Sequence, residues 1–261
     1  MTSFIRPVKG LVSVISGGGS GLGRGVVEQL HRAGGKVAIF DLPTSKGAEV
    51  AKTLGDRGFF APVDVRNEEQ VKTAYENVVK LFGRVDVNVN CAGIAFAERP
   101  FGIAKKDLKP IDNFKTTIEV NLLGTYNMLR YAIKHIHDNE FDDMKQRGVI
   151  INTASIAAFE GQAGQAAYAA SKGGIVSMTL PLARDYANDG IRFMCIAPGI
   201  FDTPLLSTLP AKVKAFLNAL VPNPNRMGNP EEFGALAQHI IENRYLNGEV
   251  IRIDGALRMP P

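Results

Sequence analysis

Short β-branched runs alternate with longer amphipathic stretches along this whole chain, and that rhythm constrains its fold more than any single segment does. Runs that read as strands lie at 11–16, 36–41, 59–65, 85–90, 148–155, 191–197 and 249–254. Most are continuously apolar, as strands buried on both faces must be, so they belong in a parallel sheet covered by helices. Helical patterns fill the gaps at 22–33, 45–54, 68–82, 111–136, 166–186 and 231–242. Several ends carry their own signals. Asn67 stands before Glu68 and Glu69, Asn229-Pro230-Glu231-Glu232 combines a cap, a first-turn proline and acids, and Gly34-Gly35 and Gly83 suit left-handed stops. Right-handed crossovers through such helices give one doubly wound α/β sheet of about seven strands.

No proline-rich or polar linker divides the chain, so residues 1–261 are expected to form a single domain. Two long connections break the rhythm, at 95–110 and 201–229. Each follows a strand's carboxyl end, where open α/β sheets place ligands and lids. A surface insertion without function is the alternative for both.

Composition narrows the function classes. With 45% hydrophobic and 21% charged residues the chain is globular, not disordered or fibrous. A net charge of +4 does not indicate contact with nucleic acid. No stretch of roughly 20 apolar residues is present to span a membrane. Cys91 and Cys195 make no disulfide framework, and His31, His135, His137 and His239 have no zinc spacing, so no metal is expected. Arg6 and Lys9, with no acid before Glu28, are compatible with an uncleaved leader for organelle import.

The chemistry concentrates at strand ends. The first strand runs into Ser16-Gly17-Gly18-Gly19-Ser20-Gly21-Leu22-Gly23 and then a helix. Glycines at 17, 21 and 23 let the backbone turn tightly and approach a pyrophosphate, while the helix N-terminus offers N–H groups and positive dipole: a Rossmann-type arrangement. Asp41 ends the second strand, where a carboxylate accepts from ribose hydroxyls and repels a 2′-phosphate, which favours NAD; a turn-forming Asp before Leu42-Pro43 is the plainer reading. Asp64-Val65 and Asn90-Cys91-Ala92-Gly93 close the next two strands on the same rim.

Ser155, Tyr168 and Lys172 follow in the order strand end, loop, helix. Tyr168-Ala169-Ala170-Ser171-Lys172 puts Tyr and Lys at i and i+4 on one helix face, where an ammonium can depress the phenol. A tyrosinate can take an alcohol proton as hydride leaves the same carbon, with the Ser155 hydroxyl holding the substrate oxygen. A surface Tyr–Lys pair is the structural alternative.

Together these motifs resemble the short-chain dehydrogenase/reductase family: Gly17, Gly21 and Gly23, Asn90–Gly93, Asn121, Ser155, Tyr168 with Lys172, and Pro198-Gly199, in order across residues 16 to 203. The resemblance implies that Asn121 bends its helix and holds a water linking Lys172 to a proton relay, that Lys172 also binds the nicotinamide ribose, and that Thr203 holds the carboxamide. Ser20, Leu22 and Phe201 are carried over as further cofactor contacts. Ser16 replaces a usual Thr and Cys91 a usual Asn; basic residues for a 2′-phosphate are absent at Ser20 and Leu42, though Arg24 is nearby.

Further segments, among them Val8–Val12, Phe82–Val87, Ala158–Gln162 and Leu246–Arg252, resemble the branch of the family that oxidises 3-hydroxyacyl-CoA. That likeness implies NAD-dependent oxidation of short-chain, including branched, 3-hydroxyacyl-CoA, with hydroxysteroids as further substrates, in a mitochondrial homotetramer. Another alcohol dehydrogenase (steroid or polyol), an oxoacyl reductase, or a non-catalytic subunit of a mitochondrial tRNA-processing complex are the alternatives. Lys105, Lys106 and Lys109 would meet CoA phosphates. Gln165 would face the substrate or cap its helix; Phe201, Leu205, Leu206, Leu209 and Phe216 would form an apolar lid or simply core.

Overall fold

The computed structural model describes residues 4–207 and 210–260, without the side chains of Leu205, Ser207 and Ala211. In chain order the elements are β1 (Val12–Ser16), α1 (Gly21–Arg32), β2 (Lys36–Asp41), α2 (Gly47–Thr53), β3 (Gly58–Pro62), α3 (Glu68–Phe82) and β4 (Val87–Asn90). A two-stranded hairpin follows, β5 (Phe101–Gly102) and β6 (Asp107–Leu108), then α4 (Asp112–Ile118), α5 (Thr125–His137), β7 (Gly148–Thr153) and α6 (Ala166–Asp185). β8 (Ile191–Pro198), α7 (Pro204–Ser207), α8 (Ala211–Ala219), α9 (Pro230–Glu242) and β9 (Val250–Ile253) complete it.

Seven parallel strands form one sheet in the order β3-β2-β1-β4-β7-β8-β9. The order reverses between β1 and β4, where the carboxyl ends of the strands part and leave a crevice. Alternate residues feed two cores. Ile15, Ile39, Val89, Ile151 and Met194 pack under α1, α2 and α9 with Val27, Leu30, Phe233 and Ile240. Val14, Phe40, Ile150 and Phe193 pack under α3, α5 and α6 with Tyr75, Met128 and Leu182.

The cap chemistry forms as the residues dictate. Asn67 accepts from the Gln70 N–H at 3.0 Å, Gly83 stops α3 at φ 88°, and Asn229 and Glu232 make a capping box on α9. Arg6 is only 9% exposed and donates to the buried Asp86 carboxylate at 2.8 Å. Asp86 also accepts from Arg84 and from the Val12 N–H. Arg6, read from the sequence as part of a basic leader, therefore ties the N-terminal segment to the start of β1 and β4.

Three departures bear on the site. The expected helix at 111–136 is broken by a π-helical segment at Glu119–Gly124, which shifts the register between α4 and α5. Pattern alone cannot show this, because one inserted residue barely disturbs the apolar period. The third strand stops at Pro62, leaving Val63–Val65 as crevice rim, and the connections at 95–110 and 201–229 carry the hairpin and two helices. No helix among the described residues is long and apolar enough to cross a membrane.

Candidate active site

The crevice between the diverging strand ends is a cleft of about 520 Å³. The turn from β1 into α1 forms one wall, and two glycines there are obligatory. Gly17 has φ +69°, and a Cβ on it would lie 2.8 Å from the Ala92 nitrogen; a Cβ on Gly23 would collide with the Gly17 carbonyl oxygen. Ser20, Gly21 and Leu22 also line the cleft, and the first turn of α1 carries no acid, so the positive end of its dipole faces the cleft unopposed.

At one end, Asp41 is anchored by backbone N–H groups on both sides: Gly19 donates to Oδ2 and Leu42 to Oδ1, each at 2.8 Å. Asp64 and Val65 line the same end together with Arg66, a residue the motif reading passed over. Arg66 holds the Asp64 carboxyl below its ordinary range through hydrogen bonds. Arg24 is occupied by Glu28 at 2.7 Å.

The floor is the β4 turn, Cys91, Ala92 and Gly93. Beneath it the Asn90 amide donates to Asn88 and Asn152 at 2.9 and 2.8 Å, and Ser16 lies 3.5 Å from Asn90 and 3.4 Å from the Ala92 N–H. Buried polar groups joined in this way fix the turn above them. Thr153 donates to the Cys91 sulfur at 3.4 Å, and burial pushes that thiol up to about 11, so it is neutral.

At the other end of the cleft stand Tyr168 and Lys172, one helical turn apart on α6. Lys172 is 5% exposed; its ammonium donates to the Thr153 carbonyl at 2.8 Å and lies 5.7 Å from the centre of the Tyr168 ring. Burial brings that ammonium down to about 8. Ser155, 8% exposed, accepts from the Ala157 N–H at 3.1 Å and shares a hydrogen bond with the Tyr168 hydroxyl. The Tyr168 phenol is raised by burial, with only the Ser155 bond opposing. The expected lowering by Lys172 is thus not what governs the phenol here: the ammonium is aimed at Thr153, and desolvation is the larger effect.

Asn121, fully buried in the π-segment, joins the two halves of the site. Its Oδ1 accepts from the Ile94 N–H at 2.8 Å, and its amide donates to the Ile94 carbonyl at 2.9 Å and to Ser171 at 3.0 Å. Ser171 in turn donates to the Tyr168 carbonyl at 2.7 Å. Ser171 was legible only as the residue before Lys172; the link from floor to catalytic helix needed the π-turn.

Pro198 and Thr203 line the cleft, Thr203 with its methyl 3.4 Å from where a Gly21 Cβ would be. Gly199 does not: a Cβ there would lie 2.8 Å from the Asp254 Cβ, so it serves close packing on β9. Phe201 takes the core alternative for its side chain. Its ring is 5% exposed and meets Phe233 edge-on at 6.3 Å, so it belongs to the core under the lid. Gln165 sits at the N-cap position of α6, but its side chain caps no N–H of that helix: Oε1 accepts from the Gln162 N–H at 3.0 Å and closes the turn before it. Leu206 is half-buried on α7 and Phe216 is exposed on α8, neither in the cleft; the side chain of Leu205 and all of Leu209 lie outside the described residues.

A family model described as short chain dehydrogenase matches residues 11–214. The chain is 55% identical over 261 residues, all of both chains, to a protein of Bos taurus named 3-hydroxyacyl-CoA dehydrogenase type-2. A crystal structure titled 3-hydroxyacyl-CoA dehydrogenase type-2 from Mycobacterium avium superposes with TM-score 0.92 at 39% identity, covering 97% of each chain. One of 3-ketoacyl-(acyl-carrier-protein) reductase from Brucella melitensis complexed with NADH does so with TM-score 0.84 at 29% identity, covering 95% of this chain and 98% of that one. With its glycine turn, seven-stranded sheet and Ser–Tyr–Lys cluster at the strand ends, the chain belongs to the short-chain dehydrogenase family of oxidoreductases.

Proposed function

We propose that this chain is an NAD-dependent dehydrogenase that oxidises the C3 hydroxyl of short-chain, including branched, 3-hydroxyacyl-CoA to the 3-oxoacyl-CoA. What carries the reading is full-length kinship at 55% identity to a protein of that name, together with Tyr168, Ser155 and Lys172 gathered at one end of a dinucleotide-shaped cleft.

The residues present fit a dinucleotide. The cradle leaves no room for a side chain at Gly17, Gly19 or Gly23, the acid-free turn of α1 suits a pyrophosphate, and the Asp41 carboxylate suits unphosphorylated ribose hydroxyls. Leu42 and Ser20 offer no cation to a 2′-phosphate, and Arg24 is held by Glu28. Lys172 would hold the nicotinamide ribose, and Thr203, beside Gly21, the carboxamide. A nicotinamide bound there supplies the hydride acceptor, and in its oxidised form a positive ring that favours a neighbouring phenolate. Ser155 holds the substrate oxygen, and the Tyr168 phenolate takes the hydroxyl proton as the C–H bond at C3 breaks. Asn121 keeps the floor and α6 in register, through Ile94 and Ser171.

Hydroxysteroids fit the same chemistry as further substrates. One domain spanning 1–261, a mitochondrial setting and a homotetramer complete the reading; exposed Leu123, Tyr126 and Leu180, on the π-segment, α5 and α6, support self-assembly.

The test follows NADH formation by purified protein with a short 3-hydroxyacyl-CoA, beside a 17β-hydroxysteroid, a polyol and NADP⁺. Fastest turnover with the acyl-CoA and NAD⁺ is expected. Activity confined to the polyol or the steroid discards the substrate, and preference for NADP⁺ discards the role of Asp41.

A further inference from the structure

The adenosine end of the cleft contains an arginine that neither the glycine turn nor the catalytic cluster explains. Arg66 lines the cleft beside Asp64. Its Nε lies 3.0 and 3.1 Å from the two Asp64 carboxylate oxygens, its Nη2 donates to Oδ2 at 2.5 Å, and its backbone N–H donates to Oδ1 at 3.0 Å.

The surrounding turn is equally tied down. Gln70 Oε1 accepts from the Asp64 N–H at 2.8 Å, and the Asn67 N–H donates to the Asp64 carbonyl at 2.9 Å. From below, the buried Asn127 amide donates to the Val65 carbonyl at 2.8 Å. A carboxylate pinned by a planar guanidinium on a fixed turn has little freedom left to lose when a ligand arrives.

Charge makes a second, independent case. Among the described residues lining the cleft, Asp41 and Asp64 put two carboxylates at the end where the adenylate of an anionic dinucleotide must sit. Asp41 is balanced only by backbone dipoles, whereas Asp64 has a full opposing charge beside it. The Arg66 side chain remains 46% exposed, so the ion pair leaves it accessible to a ligand in the cleft.

We propose that Arg66 is a cofactor-positioning residue, which sets the affinity of the cleft for the adenylate half of the dinucleotide by holding Asp64 in place and offsetting its charge. This rests on the dinucleotide reading of the cleft.

The test titrates wild type, Arg66→Ala and Arg66→Lys with NADH by fluorescence, and with AMP and nicotinamide mononucleotide by calorimetry. Arg66→Ala should raise the Kd for NADH and AMP about five- to tenfold and leave that for nicotinamide mononucleotide within about twofold. Arg66→Lys should recover part of the loss, since it keeps the charge and gives up the fork. The KM for NAD⁺ should rise in Arg66→Ala with kcat changing less than about twofold. Adding Asp64→Ala to Arg66→Ala should weaken AMP little further, because the two act as one unit. Unchanged AMP binding in both single variants, or equal weakening of both mononucleotides, overturns the proposal while the dinucleotide reading stands. Absence of NADH binding by the wild-type chain overturns both.

Discussion

The two walls of the cleft are built on different principles. On the dinucleotide side, each group sits at or just past the end of a strand and is fixed by its neighbours: Gly17 against the Ala92 backbone, Asp41 by two N–H groups, Asp64 by Arg66, the floor by Asn90 and its partners. On the side proposed to meet the substrate, the hairpin at β5 and β6 and the helices α7 and α8 stand away from the sheet. Their apolar side chains are largely in solvent: Ile103 is 69% exposed, Leu108 82% and Phe216 60%. The segment leading into the hairpin meets the turn ahead of α6, where the Glu98 N–H donates to the Gly164 carbonyl at 2.9 Å. One wall is therefore preorganised for a ligand of constant shape. The other exposes apolar surface, and the proposed function puts selectivity among acyl groups there.

The Ser155, Tyr168 and Lys172 cluster, proposed above to be catalytic, lies where the walls meet, and breaking it should produce the largest effect. Tyr168→Phe is expected to lower turnover about 10²- to 10⁴-fold while NADH titration gives an unchanged Kd, because the phenol acts on the substrate proton. Lost NADH affinity would mean that the two walls are not separable. In the oxidation direction activity should fall as pH falls, since the base must be deprotonated and burial holds the phenol above its usual value.

Phe201 sharpens the boundary behind the lid. Phe201→Ala should cost about 3–5 kcal/mol in denaturant unfolding, as expected for a buried ring beside Phe233. A raised KM for acyl-CoA with undiminished stability would return Phe201 to the lid.

Lys172 tests how much the preorganised wall gives up in stability. Burial lowers its ammonium from 10.5 to about 8, so below pH 8 the folded chain carries the whole penalty of a buried charge. Between those values the unfolded chain keeps a proton that the folded chain has released, and stability rises with pH. Lys172→Met should thus abolish turnover yet gain about 1–3 kcal/mol at neutral pH, less whatever the orphaned Thr153 carbonyl costs. The advantage should vanish as pH approaches 10.5. A variant less stable at every pH would show that the Thr153 bond outweighs desolvation.

The smallest effect belongs to the exposed wall. Phe216→Ser should raise the KM for longer acyl-CoA about two- to fivefold and leave NADH binding and the melting temperature as they were. Weaker cofactor binding would show that the lid reaches across the cleft.

Strand ends and helix caps were legible because their causes are local. A glycine that must turn, an Asn before two acids, and a Tyr and Lys four residues apart carry their geometry with them. The lid was not, because Leu and Phe at helical spacing pack equally well into a core or over a ligand. Phe201 went into the core, because α9 lies under it, while Phe216 stayed exposed. Gln165 offered a substrate contact or a helix cap, and its side chain instead accepts from Gln162 in the turn before α6.

Sequence alone determined the alternation of buried strands and amphipathic helices, the glycine cradle, and the pairing of Tyr168 with Lys172. Each follows from backbone sterics and periodicity within a few residues. Only the tertiary structure decided that Asn121 would reach Ile94 and Ser171 through a π-turn, that Arg66 would clamp Asp64 on the cleft wall, and that Lys172 would spend its proton on Thr153 and leave the phenol to Ser155. These depend on which groups burial removes from water, and that is settled by the packing of whole elements against one another.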